Sequence, residues 1–129
     1  MKFISYTAFL IFSLLFVACA EEDYKLTFEE DTIKLQEKFD KIVEFGQSVE
    51  CTDASEWDYT AVGEKACGGP SAYIAYNTTL NTDQFFALVE DYNSFQNIYN
   101  NKWEMVSTCD VPQEPAGVEC VDSAPVLIY

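Results

Sequence analysis

The stretch that decides the fold is residues 82–103, TDQFFALVEDYNSFQNIYNNKW. Its apolar side chains recur at intervals of three and four residues, which is the period of an α-helix with one buried face. Thr82 or Asn81 caps the first turn, and Asp83 favours the positive end of the helix dipole. The sequence therefore predicts a helix that packs on the domain through Phe85, Leu88, Val89, Tyr92, Tyr99 and Trp103.

A second helix is predicted before this one, over residues 28–49. Thr27 is placed to cap it, and Glu30 follows three residues later, which is the spacing of a capping box. One face of the predicted helix is apolar, through Leu35, Phe39, Ile42, Val43 and Val49. This face gives the second helix a surface to bury.

The remaining segments have the side-chain alternation of short strands and are bounded by turn-forming residues. Residues 56–62 and 71–77 alternate around aromatic side chains, and a glycine-rich connection joins them as a hairpin. Residues 106–110 predict a further strand, and residues 118–121 and 125–128 predict short extended pieces. We expect an α+β domain in which two helices pack on a small antiparallel sheet.

The N-terminus has the layout of a secretory signal. After Lys2, residues 3–18 are almost wholly apolar, a run shorter than the roughly 20 residues that a bilayer span needs. Phe16-Val17-Ala18-Cys19 resembles a bacterial lipobox, in which the cysteine receives lipid and becomes the first residue. Ala18-Cys19-Ala20 also fits the cut of an ordinary signal peptidase. We expect a signal peptide over 1–18, a lipidated tether over 19–27 and one domain over 28–129.

The acidic residues after Cys19 indicate where in the cell envelope the protein would be located. Ala20-Glu21-Glu22-Asp23 resembles the tether that sends lipoproteins of Bacteroidota-like bacteria to the cell surface. This resemblance implies an exported lipoprotein of the outer membrane or cell surface. Free secretion or a periplasmic location is the alternative if Cys19 is removed with the signal.

The cysteine count supports export. The chain has 5 Cys, and removing Cys19 leaves Cys51, Cys67, Cys109 and Cys120. Four cysteines in an exported chain predict two disulfides, although three connectivities are open. We favour the two closest pairings, Cys51–Cys67 and Cys109–Cys120. The chain has no His and no tight Cys-x-x-Cys pair, so no metal site is expected.

One motif resembles known proteins. Residues 61–70, AVGEKACGGP, followed by Ser107-Thr108-Cys109-Asp110 and Cys120, resemble small uncharacterised exported bacterial domains. The resemblance covers residues 51–129. It implies a compact domain stapled by disulfides, and it implies no activity.

Composition and motifs exclude several functions. Without His, neither Ser/His/Asp nor Cys/His catalytic arrangements can form. Gly68-Gly69-Pro70 lacks the Gly-Lys-Ser/Thr ending of a phosphate-binding loop, so we expect no enzyme and no cofactor. The net charge of −15 repels nucleic acid and anionic lipid headgroups, which leaves the lipid anchor as the contact with membrane. The same charge attracts a cationic partner, although solubility alone also accounts for it.

Two segments are candidates for binding a protein partner. The first is the turn with Lys65, Gly68, Gly69 and Pro70, followed on the next strand by Tyr73 and Tyr76. The second contains Pro112, Glu114 and Pro115, where prolines reduce the flexibility that binding would cost. Pairing of Cys109 with Cys120 would pin this second segment at both ends, as in an inhibitor loop. The alternatives are a glycine turn beside a disulfide and a plain surface hairpin.

These observations favour an envelope-tethered acidic binding module. An inhibitor of a cationic secreted hydrolase, such as a protease or lysozyme, is its sharpest form. A structural accessory lipoprotein of an envelope complex is the first alternative, which exposed aromatic residues on the 82–103 helix would favour. A small carbohydrate-active enzyme is the second, and it requires two carboxylates about 5–10 Å apart in a cleft.

Overall fold

A computed structural model describes residues 26–129. The predicted signal peptide, Cys19 and most of the predicted tether lie outside these residues. The elements in chain order are helix α1 (Phe28–Gly46), strands β1 (Trp57–Val62) and β2 (Ala72–Asn77), helix α2 (Thr82–Lys102), and strands β3 (Gly117–Val121) and β4 (Ala124–Ile128). Neither helix in this described part is long and apolar enough to cross a membrane.

The α+β class with two helices is confirmed, and the sheet is divided in two. β1 pairs with β2 and β3 pairs with β4, each antiparallel, as two separate two-stranded sheets. The strand predicted over residues 106–110 is wrong, because this segment is irregular. Val106 is 92% exposed, so the apolar residues there do not bury a sheet face.

The capping box at the start of α1 forms as predicted. The Glu30 amide donates to the Thr27 hydroxyl at 3.2 Å, and the Thr27 amide donates to a Glu30 carboxylate oxygen at 2.7 Å. The helix ends at Gly46, three residues before the predicted end at residue 49. The Ser48 hydroxyl donates to the Phe45 carbonyl at 3.0 Å, which satisfies an acceptor that the ended helix leaves open.

β2 lies between two clusters of buried side chains. Successive side chains of a strand point to opposite faces. Ile74 and Tyr76 therefore face the helices, where the main core also contains Ile42, Val62, Phe85 and Val89. Ala75 faces the other way, into a smaller cluster that contains Cys51 and Trp57 and is covered by Val118, Cys120 and Leu127. This second cluster attaches the β3–β4 hairpin to the back of the β1–β2 hairpin.

The disulfide crosses this second cluster, and both predicted pairings are wrong. Cys51 is bonded to Cys120, with 5.2 Å between the Cα atoms and a sequence separation of 69. The pairings Cys51–Cys67 and Cys109–Cys120 fail because the β3–β4 turn folds back onto Cys51, whose amide donates to the Ser123 carbonyl at 2.9 Å. Cys67 and Cys109 carry free, exposed thiols. Residues 26–129 thus contain one disulfide, with a pairing that we did not favour, where two disulfides were predicted.

A buried carboxylate joins the start of α1 to the end of α2. Asp31 is 4% exposed and accepts hydrogen bonds from Lys102 Nζ at 2.6 Å and Trp103 Nε1 at 3.0 Å. The hydrogen bond from Lys102, assisted by that from Trp103, lowers the pKa of Asp31 below its usual value of 3.8, although burial opposes the shift. The ionised carboxylate is therefore the form that the folded state prefers.

We expect the contribution of Asp31 to stability to depend on pH. Because its pKa is lower in the folded state, that contribution is complete above pH 3.8 and is lost as the pH falls through the lower folded value. Asp31→Asn should lower the melting temperature at pH 7, and its difference from the wild type should narrow below pH 3.8. Thermal unfolding from pH 7 to pH 2 measures this, with Glu37→Gln on the exposed face of α1 as the control. A difference that is constant with pH would contradict the assignment.

Candidate binding surface

The two segments predicted to bind a partner lie side by side. One is the connection between β1 and β2, residues 63–71, and the other is the irregular chain between α2 and β3, residues 103–116. Lys65 Nζ donates to the Asp110 carbonyl at 2.6 Å and lies 3.2 Å from Asp110 Oδ1. The Cys67 amide donates to the Ser107 hydroxyl at 3.3 Å. We call these two segments together the loop pair.

Polar side chains of α2 hold the base of the first segment. The Gly63 amide donates to Asn93 Oδ1 at 2.7 Å, and the Glu64 amide donates to Gln96 Oε1 at 2.6 Å. Asn100 Nδ2 donates to the Glu64 carbonyl at 2.8 Å. The sequence prediction gave none of these side chains a role at the site, although their spacing of three and four residues places them on one face of a helix. The loop is therefore fixed on a rigid element.

The tip of the first segment is a tight, exposed turn. The Gly68 amide donates to the Lys65 carbonyl at 2.9 Å, and the Lys65 amide donates to the Gly69 carbonyl at 2.9 Å. Gly68 and Gly69 have φ values of +94° and +83°, which L side chains rarely adopt. A Cβ on either would meet nothing within 4 Å, so the backbone conformation and not crowding requires glycine. The half-buried Pro70 follows.

A pair of tyrosines connects β1 and β2 to the second segment. The rings of Tyr59 and Tyr73 meet edge to face with 6.0 Å between centroids, and the Tyr59 hydroxyl donates to Glu114 Oε1 at 3.4 Å. Partial burial, followed by the Glu114 and Asp58 carboxylates, raises the pKa of Tyr59. We predicted no site role for Tyr59, although its alternation with Trp57 indicated that the two side chains lie on the same face of β1. The local field at this end of the surface is negative.

Other predicted site residues have different positions. Tyr76 is 7% exposed and stacks on Phe85 in the core, so it cannot contact a partner. Tyr73 and Tyr76 are three residues apart on one strand and therefore point to opposite faces. In the second segment Glu114 is exposed, Pro112 is half-buried and Pro115 is buried.

The second segment is not the closed disulfide loop that we predicted. Cys120 is bonded to Cys51, so no bond to Cys109 pins its two ends. Instead, contacts with Lys65 and Cys67 hold its middle. Its end is held where the Ala116 amide donates to the Ile128 carbonyl at 2.6 Å.

Two thiols meet where the two segments touch. Cys67 Sγ lies 3.5 Å from both Ser107 Oγ and the Thr108 carbonyl oxygen, and contact with the neighbouring Cys109 thiol lowers the pKa of Cys67, with further help from the Ser107 hydroxyl and the Lys65 ammonium. The same contact is the main cause of the raised pKa of Cys109. Both thiols are exposed, so solvent and dissolved reagents reach them.

A separate shallow groove of about 390 Å³ lies between α1 and α2. Its lining is mostly apolar, and Glu44 is the carboxylate among the residues that form it: Lys41, Glu44, Phe45, Ser48 and Leu88. Retaining and inverting glycosidases each need two carboxyl groups that face one bond. The groove therefore does not match the cleft that a carbohydrate-active enzyme requires.

Neither a metal-ligating cluster nor a comparison with known proteins assigns a role to the loop pair. Across residues 26–129, no group of three or more His, Cys, Asp or Glu side chains is placed to hold a metal ion. No protein-family profile matches the chain, and no curated protein or solved structure is similar to it. The functional argument therefore rests on the geometry and charge of the loop pair.

Proposed function

We propose that this protein is an envelope-tethered acidic binding module that binds a cationic protein partner on the loop pair. The observation that carries the proposal is the contact between the two segments that the sequence had singled out separately. Lys65 joins them through both the carbonyl and the carboxylate of Asp110. Two segments held together present one continuous surface, and a partner can contact both at once.

Charge supports a cationic partner. The chain has a net charge of −15, which speeds encounter with a positively charged protein. Asp110 neutralises Lys65 within the loop pair, while Glu114 of the loop pair and Asp58 of β1 act as negative charges on Tyr59 beside it. An amphipathic tyrosine pair beside carboxylates suits a partner that offers Lys or Arg side chains.

The loop pair is already ordered without a partner, and this favours a binding surface over a surface turn that has no function. Asn93, Gln96 and Asn100 of α2 fix residues 63 and 64, and buried Pro115 limits motion at the end of the second segment. A surface that is already ordered loses less conformational entropy when it binds. An inhibitor of a basic secreted protease or lysozyme is the most specific form of this proposal.

The tether remains part of the proposal. It is supported by the lipobox-like Phe16-Val17-Ala18-Cys19 and by the Cys51–Cys120 disulfide, since disulfides persist in exported proteins. Lipid on Cys19 would hold the domain at the outer membrane or cell surface, through the anchor alone.

A structural accessory role is the second candidate. Phe86 is 42% exposed and Ile98 is 61% exposed, both on α2. Exposed large apolar side chains are typical of surfaces that contact another protein. Binding that depends on Phe86 and Ile98, and not on the loop pair, would favour this role.

Binding at different salt concentrations tests the proposal. We expect the purified domain to capture a basic secreted hydrolase, such as a lysozyme, at low ionic strength and to lose it as salt is raised. The double variant Glu104→Gln/Glu114→Gln should slow association about fivefold, because it removes two exposed charges from the loop pair that steers the encounter. Glu37→Gln/Glu50→Gln changes the net charge equally at exposed positions outside the loop pair. Equal losses in both variants, or no capture of any basic hydrolase, would contradict the proposal.

A further inference from the structure

The two free thiols lie where a bond between them would join the two halves of the loop pair. Cys67 Sγ is 3.5 Å from the carbonyl oxygen of Thr108, the residue before Cys109, and 3.5 Å from Ser107 Oγ. The Cys109 thiol is close enough to be the main cause of the lowered pKa of Cys67. The second segment is irregular chain at this point, so bringing the two sulfurs together need not disturb a helix or strand.

The surroundings give the two sulfurs different chemical roles. The thiolate is the reactive form of cysteine, and nearby donors and cations favour it. Cys67 has the Ser107 hydroxyl, the Cys109 thiol and the Lys65 ammonium around it, and its pKa is lowered. Cys109 has a raised pKa, chiefly because of Cys67 and partial burial, and the Asp110 carboxylate adds to the shift. Cys67 is therefore the attacking sulfur and Cys109 the resolving one.

We infer that Cys67 and Cys109 form a redox-active pair that closes into a second disulfide by exchange with an external disulfide. The Cys67 thiolate attacks one sulfur of the external disulfide, forming a mixed disulfide and releasing one thiolate. Cys109, losing its proton, then attacks Cys67 Sγ and releases the second thiolate. The two leaving groups take up the two protons, so two protein thiols are oxidised and one external disulfide is reduced to two thiols.

The two bonds differ in accessibility. Cys51 is 3% exposed and packs with Trp57 and Ala75, so an attacking thiolate reaches the Cys51–Cys120 bond poorly. A Cys67–Cys109 bond would lie at exposed positions on the loop pair. Exposed disulfides exchange more readily than buried ones. The outer bond therefore opens and closes while the inner one persists, and it controls whether residues 63–71 and 103–116 are covalently joined.

Oxidised and reduced glutathione serve as probes of this pair. Purified protein with the Cys51–Cys120 bond intact is incubated with oxidised glutathione, quenched with iodoacetamide and mapped by mass spectrometry without reduction. We expect loss of both alkylatable thiols together and a peptide pair linked through Cys67 and Cys109. Reduced glutathione should restore both thiols and leave Cys51–Cys120 closed.

Single variants separate the two roles. Cys109→Ser should accumulate glutathione on Cys67, since the resolving thiol is gone. Cys67→Ser should lose the internal link, and brief iodoacetamide treatment of the wild type at pH 7 should alkylate Cys67 before Cys109, because each thiol shifts the pKa of the other only while both are present. Both substitutions fall at exposed positions, and unchanged melting curves would show that the fold is kept. Equal alkylation of the two thiols in the wild type, links between molecules only, or earlier reduction of Cys51–Cys120 would overturn the inference. None of these outcomes depends on the proposed cationic partner.

Discussion

Replacing Cys51 and Cys120 together by alanine should lower the free energy of unfolding by about 4 kcal/mol. The bond closes a loop with a sequence separation of 69, and removing it returns that chain entropy to the unfolded state. Domains of this size are typically stable by about 5–15 kcal/mol, so the variant should be close to its stability limit. Urea unfolding of the wild type and the double variant measures the difference.

The matched control is Cys67→Ala/Cys109→Ala, compared with wild type in which only the outer thiols are reduced. These side chains are exposed, so their truncation should change the free energy of unfolding by less than about 0.5 kcal/mol. Equal effects of the inner and outer double variants would contradict the position that we give to the Cys51–Cys120 bond.

Phe85→Ala should cost about 3–5 kcal/mol, since it empties the centre of the main core. Phe85 is 1% exposed and stacks on Tyr76 with 4.6 Å between ring centroids. A Cβ on Gly46 would lie 2.6 Å from Phe85 Cε2, so α1 approaches this ring closely. Because α1 packs closely against the ring, neighbouring side chains cannot fill the cavity that the substitution leaves unless the helix moves.

Phe86→Ala is the control for this prediction, because it removes the same ring one position along α2. Phe86 is 42% exposed, and its truncation should cost less than about 1.5 kcal/mol. Chemical unfolding monitored by far-UV circular dichroism compares the two variants. Similar losses in both would mean that Phe85 is not at the centre of the core.

The sequence predicts the helices and the first hairpin well, because their signals are local. Thr27 and Glu30 form the predicted capping box, and Asn81 caps α2 through its side chain. The Cys51–Cys120 pairing could not be predicted in this way. It depends on the β3–β4 turn lying against Cys51, and no local pattern reports a contact between residues so far apart.

The candidate surface was predictable in its parts but not in its assembly. Glycine and proline marked residues 65–70 and 112–115 as turns with little freedom. The Lys65–Asp110 contact that brings the segments together joins residues far apart in the sequence, so no local sequence pattern predicts it. The prediction of Tyr76 as a site residue was wrong for a different reason. We chose it because it is aromatic, whereas strand alternation would have placed it on the face of β2 opposite to Tyr73.

The most direct test of the account is mass spectrometry of the mature protein made in a bacterium that processes lipoproteins. Intact mass and peptide mapping without reduction are read on the membrane fraction. We predict a chain that begins at Cys19, carries fatty acid there and yields a peptide pair linked through Cys51 and Cys120. An uncut precursor with all 5 of its cysteines reduced would contradict both the tether and the architecture.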